Sequence, residues 1–221
     1  MPQVTLLVND RICLKDPESS DLGKKIIESS IDMIYEVGLE QFTFKKLADA
    51  INSTEASIYR YFENKHKLLL YLTSWYWSWM EYKLAFKIAN VESAHERLKR
   101  AVSLLTEQVV ADSDFSHINE VKLHQIVISE SAKAFFNKQV DEVNKSGVFA
   151  SYKSLVQKIS EIVEEINPSF KYPHMLISTI AEGAHHQRFF AEHLPRLTDV
   201  VDGEDAIQSF YQEVVFKTIN A

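Results

Sequence analysis

From Glu18 to Asn167 the chain contains no proline, and from Leu39 to Ser146 it contains no glycine. Proline inside a helix removes a hydrogen-bond donor and clashes with the preceding turn, and glycine costs about 1 kcal/mol relative to alanine. A run this long without either residue has few places to break, so long helices follow and the expected fold is all-α. At 221 residues and 46% apolar composition, the chain can bury a sizeable core and divide it between one small and one larger domain. Punctuation falls at Gly38, Asn167-Pro168, Pro173, Pro195 and Asp202-Gly203. It predicts a first helix that starts around Asp21 to Gly23 and stops at Gly38, a long helix over 64–90, and further helices over 92–111, 118–136, 140–166, 173–194 and 203–219.

The stretch from Phe42 to Leu72, FTFKKLADAINSTEASIYRYFENKHKLLLYL, carries the most specific signal. Thr43 can cap a short helix whose apolar positions are Leu47, Ala48 and Ile51. Asn52 follows where the chain must turn sharply, and Asn tolerates the left-handed conformation such a turn demands. Ser53 or Thr54 can cap a second short helix, with Glu55 favourable to its dipole and Ile58 and Phe62 facing inward, and Asn64 caps a third. Two short helices joined by a tight turn are the helix-turn-helix pattern, in which the second helix enters the major groove of DNA. Any small helical hairpin shares that periodicity, so the spacing alone leaves both readings open.

The string Ser57-Ile58-Tyr59-Arg60-Tyr61-Phe62, followed by Asn64-Lys65, resembles the TetR family of bacterial repressors. In that family a Leu/Ile-Ala pair, a Gly turn, a small-residue recognition helix, a Tyr-x-Tyr-Phe run and a Lys opening the next helix occur in this order. Leu47-Ala48, Tyr59 to Phe62 and Lys65 match, and the resemblance covers residues 22 to 72. Asn52 stands for the usual Gly and Ser53 for the usual apolar residue. The resemblance implies an N-terminal three-helix helix-turn-helix DNA-binding domain over 21–67, after an extension over 1–20. A larger helical ligand-binding and dimerisation domain would occupy 68–221. It also implies a cytoplasmic repressor that works as a homodimer on a double-stranded DNA operator and answers to a small-molecule effector. Chemistry assigns candidate roles within the head. Thr43, Lys45, Lys46, Tyr59, Tyr61 and Lys65 are expected at phosphates and Glu55, Ala56, Ser57 and Arg60 nearer base edges, with Thr54 also in the DNA-binding set.

The net charge of −7 excludes a nonspecific basic coat protein, yet the head departs from it. Between Thr43 and Lys67 five basic residues (Lys45, Lys46, Arg60, Lys65, Lys67) face three acidic ones (Asp49, Glu55, Glu63), a local balance of +2. Cys13 is the only cysteine, so no intrachain disulfide is possible. No apolar run approaches a membrane span, and the apolar patch from Leu6 to Val8 has no basic residue ahead of it, so neither membrane insertion nor secretion is expected. In the first twenty residues Arg11 and Lys15 are offset by Asp10, Asp16 and Glu18, which favours docking on the protein over entry into a minor groove.

The helix over 64–90 is apolar on nearly every side, with Trp75, Tyr76, Trp77, Trp79, Met80, Tyr82 and Phe86. Such a helix must be covered all round or face a cavity. Aromatic stripes are usually core, but this one exceeds what one packed face needs and leaves room for an apolar or aromatic ligand among Trp75, Trp79, Tyr82 and Phe86. Phe115, His124, Phe149 and His186 are candidates for the far wall. The same helix starts at Lys65 in the head, so a ligand beside its rings could tilt it as a lever. The last helix carries a stripe of Ala206, Ile207, Phe210, Tyr211, Val214, Val215, Thr218 and Ile219. By the family resemblance this stripe, with Gly183 on the preceding helix, would pack against a second subunit; packing within the monomer would also explain it.

Eight histidines raise the question of metal chemistry. Glu-x-x-His occurs at Glu63 to His66, Glu92 to His95 and Glu182 to His185, and two such motifs facing a bundle core build di-iron sites. The first lies in the head, and the second runs into Glu96, Arg97, Lys99 and Arg100, a solvated surface. One remaining copy does not make a dimetal site. His185, His186 and His193 with Glu182 and Arg188 read as a satisfied polar network or as the polar end of a ligand pocket. No phosphate loop, dinucleotide fingerprint, nucleophile elbow or cysteine pair is present, so no enzyme, cofactor or metal is expected. The competing readings are the metal enzyme and a helical interaction protein that has lost DNA binding.

Overall fold

The structure is a computed structural model and describes residues 12–111, 117–135, 138 and 140–220. Among these residues the fold is all-α. In chain order the helices are α1 (Asp21–Gln41), α2 (Phe44–Ala50), α3 (Glu55–Tyr59), α4 (Lys65–Ile88), α5 (Ala94–Thr106), α6 (Glu120–Phe135), α7 (Val140–Lys145), α8 (Ala150–Ile166), α9 (Pro173–His193) and α10 (Ala206–Ile219). Short 3-10 turns at Pro17–Ser19 and Pro195–Leu197 precede α1 and follow α9. The only extended pairing among the described residues is an isolated bridge between Val201 and Glu204.

The contacts form two compact units. One comprises the residues up to Trp79 together with Val109–Ser151; the other comprises Met80–Gln108 and the chain from Tyr152 onward. In the first unit α1 packs on α2, α6 and the turn before it, and α2 packs on α3. Ile26, Ile27, Ile31 and Ile34 of α1 are buried, as are Phe42, Leu47, Ile58 and Phe62 of the head. The chain ahead of α1 is docked here, as its charge balance suggested for the part described. Leu14 N–H donates to the Tyr61 carbonyl at 2.8 Å, Glu18 meets His117 Nε2 at 2.8 Å, and Ile12 is buried.

In the second unit α5, α9 and α10 pack against one another. Arg188 ties all three together. Its Nε donates to the Thr106 carbonyl that closes α5 at 3.0 Å, and its guanidinium meets Asp205 Oδ2 at 2.6 Å. Asp205 in turn caps α10, accepting from Gln208 N–H at 3.1 Å. Gly183 of α9 faces Tyr211 of α10, and a Cβ built at Gly183 would overlap the Tyr211 hydroxyl. The room at Gly183 is thus filled by the chain's own tyrosine, a correction to its expected role in packing a second subunit.

Two helix boundaries also differ from expectation. The helix over 140–166 is two helices, because Gly147 takes a φ of 84° and breaks the ladder between α7 and α8. At the end of α1, Gly38 (φ 73°, ψ 159°) does not stop the chain outright; a short turn continues to Gln41.

Candidate nucleic-acid interface

Local chemistry builds the head as the sequence predicts. Thr43 Oγ1 accepts from Lys46 N–H at 3.2 Å and starts α2, and Thr54 Oγ1 accepts from Ser57 N–H at 3.2 Å and starts α3. Asn52 sits between them with φ 53°, the left-handed turn that brings the two helices together. Asn64 Oδ1 accepts from Lys67 N–H at 2.9 Å and opens α4. Lys25 Nζ, a residue with no local sequence signal for the task, closes α2 by donating to the Ile51 carbonyl at 3.1 Å.

This scaffold leaves a set of side chains toward solvent. Thr43, Lys45 and Lys46 at the start of α2, and Thr54, Glu55, Ala56, Tyr59 and Arg60 on and around α3, are all exposed, and Ser57 is half-buried. The Ser57 and Thr54 hydroxyls pair at 2.9 Å, and Lys46 Nζ reaches back to the Gln41 carbonyl at 2.8 Å. The Tyr59 ring stands edge-on to Phe44 with centroids 5.1 Å apart, which holds the ring while leaving the residue about half exposed. Positive, hydroxyl and amphipathic groups on two capped helices can meet phosphates and base edges.

Two head residues sit elsewhere than expected. Tyr61 is only 3% exposed, and its hydroxyl pairs with Ser20 Oγ at 2.8 Å and Lys15 Nζ at 3.3 Å. It anchors the N-terminal segment, and burial withdraws it from phosphate. Lys65 donates to the carbonyls of Leu39 at 2.9 Å, Glu40 at 3.1 Å and Phe42 at 3.4 Å. Those acceptors are the free carbonyls where α1 ends, and they engage the ammonium that was expected at a phosphate.

The aromatic run of α4 is enclosed: every residue from Leu68 to Met80 is buried. Trp75 stacks on Trp79 at 6.4 Å, Tyr76 packs against Trp77, Trp79 and the His124 ring, and the Tyr76 hydroxyl lies 2.9 Å from His124 Nδ1. Phe149 is buried beside Phe135 at 4.9 Å. Of the eight ligand candidates, the structure brings Trp79 and His124 against Tyr76, with Trp75 stacked on Trp79. Tyr82, Phe86 and His186 belong to the other unit, where Phe86 is 66% exposed and His186 lies on the solvent side of α9. Phe115 lies outside the described residues. The second unit carries surface cavities. One of about 190 Å³ lies between Gln187, Leu197, Thr198, Asp199 and Phe210, and a groove of about 610 Å³ lies between Lys99, Ser103, Gln212 and Phe216. The sequence picked out neither.

Among the described residues no three His, Cys, Asp or Glu side chains gather in a way that could hold a metal ion. No helix of the described residues is long and apolar enough to cross a membrane.

Residues 26–72 match the family model of bacterial regulatory proteins of the tetR family. No curated protein matches the chain in sequence. Several solved structures share its fold. The fatty acid degradation regulator FadR from Bacillus halodurans superposes with a TM-score of 0.62 at 19% identity, over 89% of this chain and 97% of that one. AibR, solved with isovaleryl coenzyme A and operator DNA, gives 0.56 at 16% identity, over 89% and 98%. The superantigen PfiT gives 0.59 at 12% identity, over 92% and 97%. At such identities the likeness speaks for the fold alone, and the family rests on the head. The capped helix-turn-helix within residues 26–72 is thus of the tetR type, and along nearly its whole length the chain has the fold of solved regulators such as FadR.

Proposed function

We propose that the protein is a cytoplasmic repressor that binds a near-palindromic operator as a homodimer and leaves it when a small, largely apolar ligand binds. The observation that carries the DNA-binding part is the solvent-facing set on α2 and α3. Lys45, Lys46, Thr43 and Tyr59 fix register on phosphates, and Thr54, Glu55, Ala56, Ser57 and Arg60 lie nearer the bases. Tyr61 and Lys65 support this surface from behind. Residues 21–67 act as the reading head, and 68–221 as the regulatory and dimerisation part.

The dimer reading is supported by the two ridges of α10. Ile207, Tyr211, Val215 and Ile219 are buried in the subunit's own core. Ala206, Val214 and Thr218, half-buried or exposed, flank Phe210, which is 57% exposed; on α9 Met175 is 66% exposed. Apolar side chains repeated on one exposed helix ridge suit a second copy, and two heads suit paired half-sites.

The ligand reading draws on the neighbours. AibR was solved with isovaleryl coenzyme A, FadR is a fatty acid degradation regulator, and KstR2 of Mycobacterium tuberculosis is a ketosteroid regulator. A largely apolar effector with one polar or anionic end fits both that company and the Trp75, Trp79 and His124 cluster, which would have to open to admit it. The effector binds the off-DNA arrangement better, and by linkage DNA weakens the effector by the same factor.

Selection from random duplexes tests the reading. The expected product is a near-palindrome whose half-sites are about 10 base pairs apart, one helical turn. Lys45→Ala should weaken binding to all sequences and reduce the salt slope by about one, whereas Ser57→Ala or Glu55→Ala should change the preferred sequence. No enriched motif would overturn it. The second reading, a helical interaction protein without DNA binding, is favoured by the net charge of −7 and by the fold shared with superantigen PfiT. Retardation of a duplex at low salt that vanishes at moderate salt for every sequence alike would support that second reading.

A further inference from the structure

The joint between α1 and α2 is fastened by charged side chains from two other helices. It begins at Gly38, whose φ of 73° and ψ of 159° interrupt α1 and free the Leu39 N–H from the helical ladder. Glu130 of α6, only 8% exposed, accepts that N–H through Oε1 at 3.1 Å in a buried bond between residues 91 apart in sequence. Its other oxygen lies 2.7 Å from Lys133 Nζ, which in turn meets Glu40 Oε1 at 2.9 Å. Lys65 of α4 holds the carbonyls of Leu39, Glu40 and Phe42. The next residue is Thr43, the cap of α2.

Glycine moves freely among backbone conformations, so the bend at Gly38 does not enforce itself. Steric room is not the reason for it either: a Cβ there would meet only Glu130 Oε1, at an ordinary 3.7 Å. The bend is held by bonds around it: Glu130 accepts from the Leu39 amide, Phe42 N–H donates to the Gly38 carbonyl at 3.2 Å, and Lys65 engages the carbonyls that follow. We propose that Glu130 is a positioning residue for operator recognition: by accepting from Leu39 N–H it sets the angle at which α1 delivers the chain to α2, and so the placement of Thr43, Lys45 and Lys46 and of α3. This rests on the DNA-binding reading above. A group that only positions contributes no counterion release, so its loss falls on specific binding, which needs the helices in register, and spares nonspecific attraction to phosphates.

The test uses the full-length protein, the duplex that wild type enriches by selection, and a scrambled duplex of equal length. Glu130→Ala is expected to bind the selected duplex about tenfold or more weakly, to bind the scrambled duplex within about twofold of wild type, and to keep the salt slope. Glu130→Gln, whose amide oxygen can still accept from Leu39, restores most of the loss. A folded Glu130→Ala that melts earlier yet binds the selected duplex as wild type does overturns the proposal, and so does an equal loss on both duplexes. Should Glu130→Ala fail to fold, amide exchange on wild type decides. Reciprocal coupling requires the Leu39 amide to exchange about tenfold more slowly on the selected duplex than on the scrambled one, and equal rates overturn the proposal. A wild type that enriches no duplex overturns the DNA-binding reading itself, and positioning with it; enrichment with an unaffected Glu130→Ala overturns positioning alone.

Discussion

His66 carries its Nε2 buried in the first turn of α4 with no hydrogen-bond partner. Burial first, and the nearby Lys67 ammonium second, hold its pKa below the ordinary 6.5. The unfolded chain therefore takes up a proton on this residue before the folded one does. The resulting stability is complete above the ordinary histidine value and is lost as pH falls toward the lowered one. Thermal melts between about pH 7.5 and pH 5 should fall less steeply for His66→Gln than for wild type, and parallel curves would remove His66 from the balance. Single residues were legible in the sequence wherever their partner was a neighbour. Thr43 and Thr54 cap amides three positions on, and Asn52 needs only its own φ. Tyr61 and Lys65 were misplaced because their partners, Ser20 and the carbonyls that end α1, lie 41 and 23 to 26 residues away, where periodicity carries no information. Glu130 had no sequence signal at all.

Elements were read well where their faces were simple. The apolar stripe of α10 is real, but it is two adjacent ridges, and the pattern alone does not say which one faces the subunit's own core. The structure gives that role to Ile207, Tyr211, Val215 and Ile219. The aromatic excess of α4 suggests room for a ligand, whereas Trp75 stacks on Trp79 and Tyr76 packs on Trp79 and on His124, because large rings can cover each other without a separate wall. Between α9 and α10 the close approach at Gly183 is set by a single hydroxyl. Gly183→Ala should destabilise by about 1–3 kcal/mol through overpacking. Adding Tyr211→Phe should recover part of that, since the next ring atom would stand 3.3 Å from the new methyl, still a tight contact. Denaturant midpoints of the two single variants and the pair check it; additive losses would show that the hydroxyl is not the obstacle.

At the scale of the whole molecule, an acidic chain carries a local excess of positive charge in its head, which favours attraction to DNA there. If α10 supplies the subunit contact, a charge on its outer ridge should separate the copies without unfolding them. Phe210→Glu, at a 57% exposed position, is expected to sediment as a monomer with the melting behaviour of a folded helical protein and to lose operator binding. An unchanged dimer would exclude Phe210 from the interface. The chain also crosses between its two units three times, after Trp79, after Gln108 and after Ser151, so neither unit is a contiguous segment. That interleaving has a consequence in time. The Leu39 amide and its acceptor on Glu130 are 91 residues apart. With synthesis running at about 5–20 residues per second, the Leu39 amide emerges roughly 5 to 18 s before the carboxylate that fastens it. During that interval the head is a tethered nascent fragment with an open joint, and its geometry is completed only when α6 arrives.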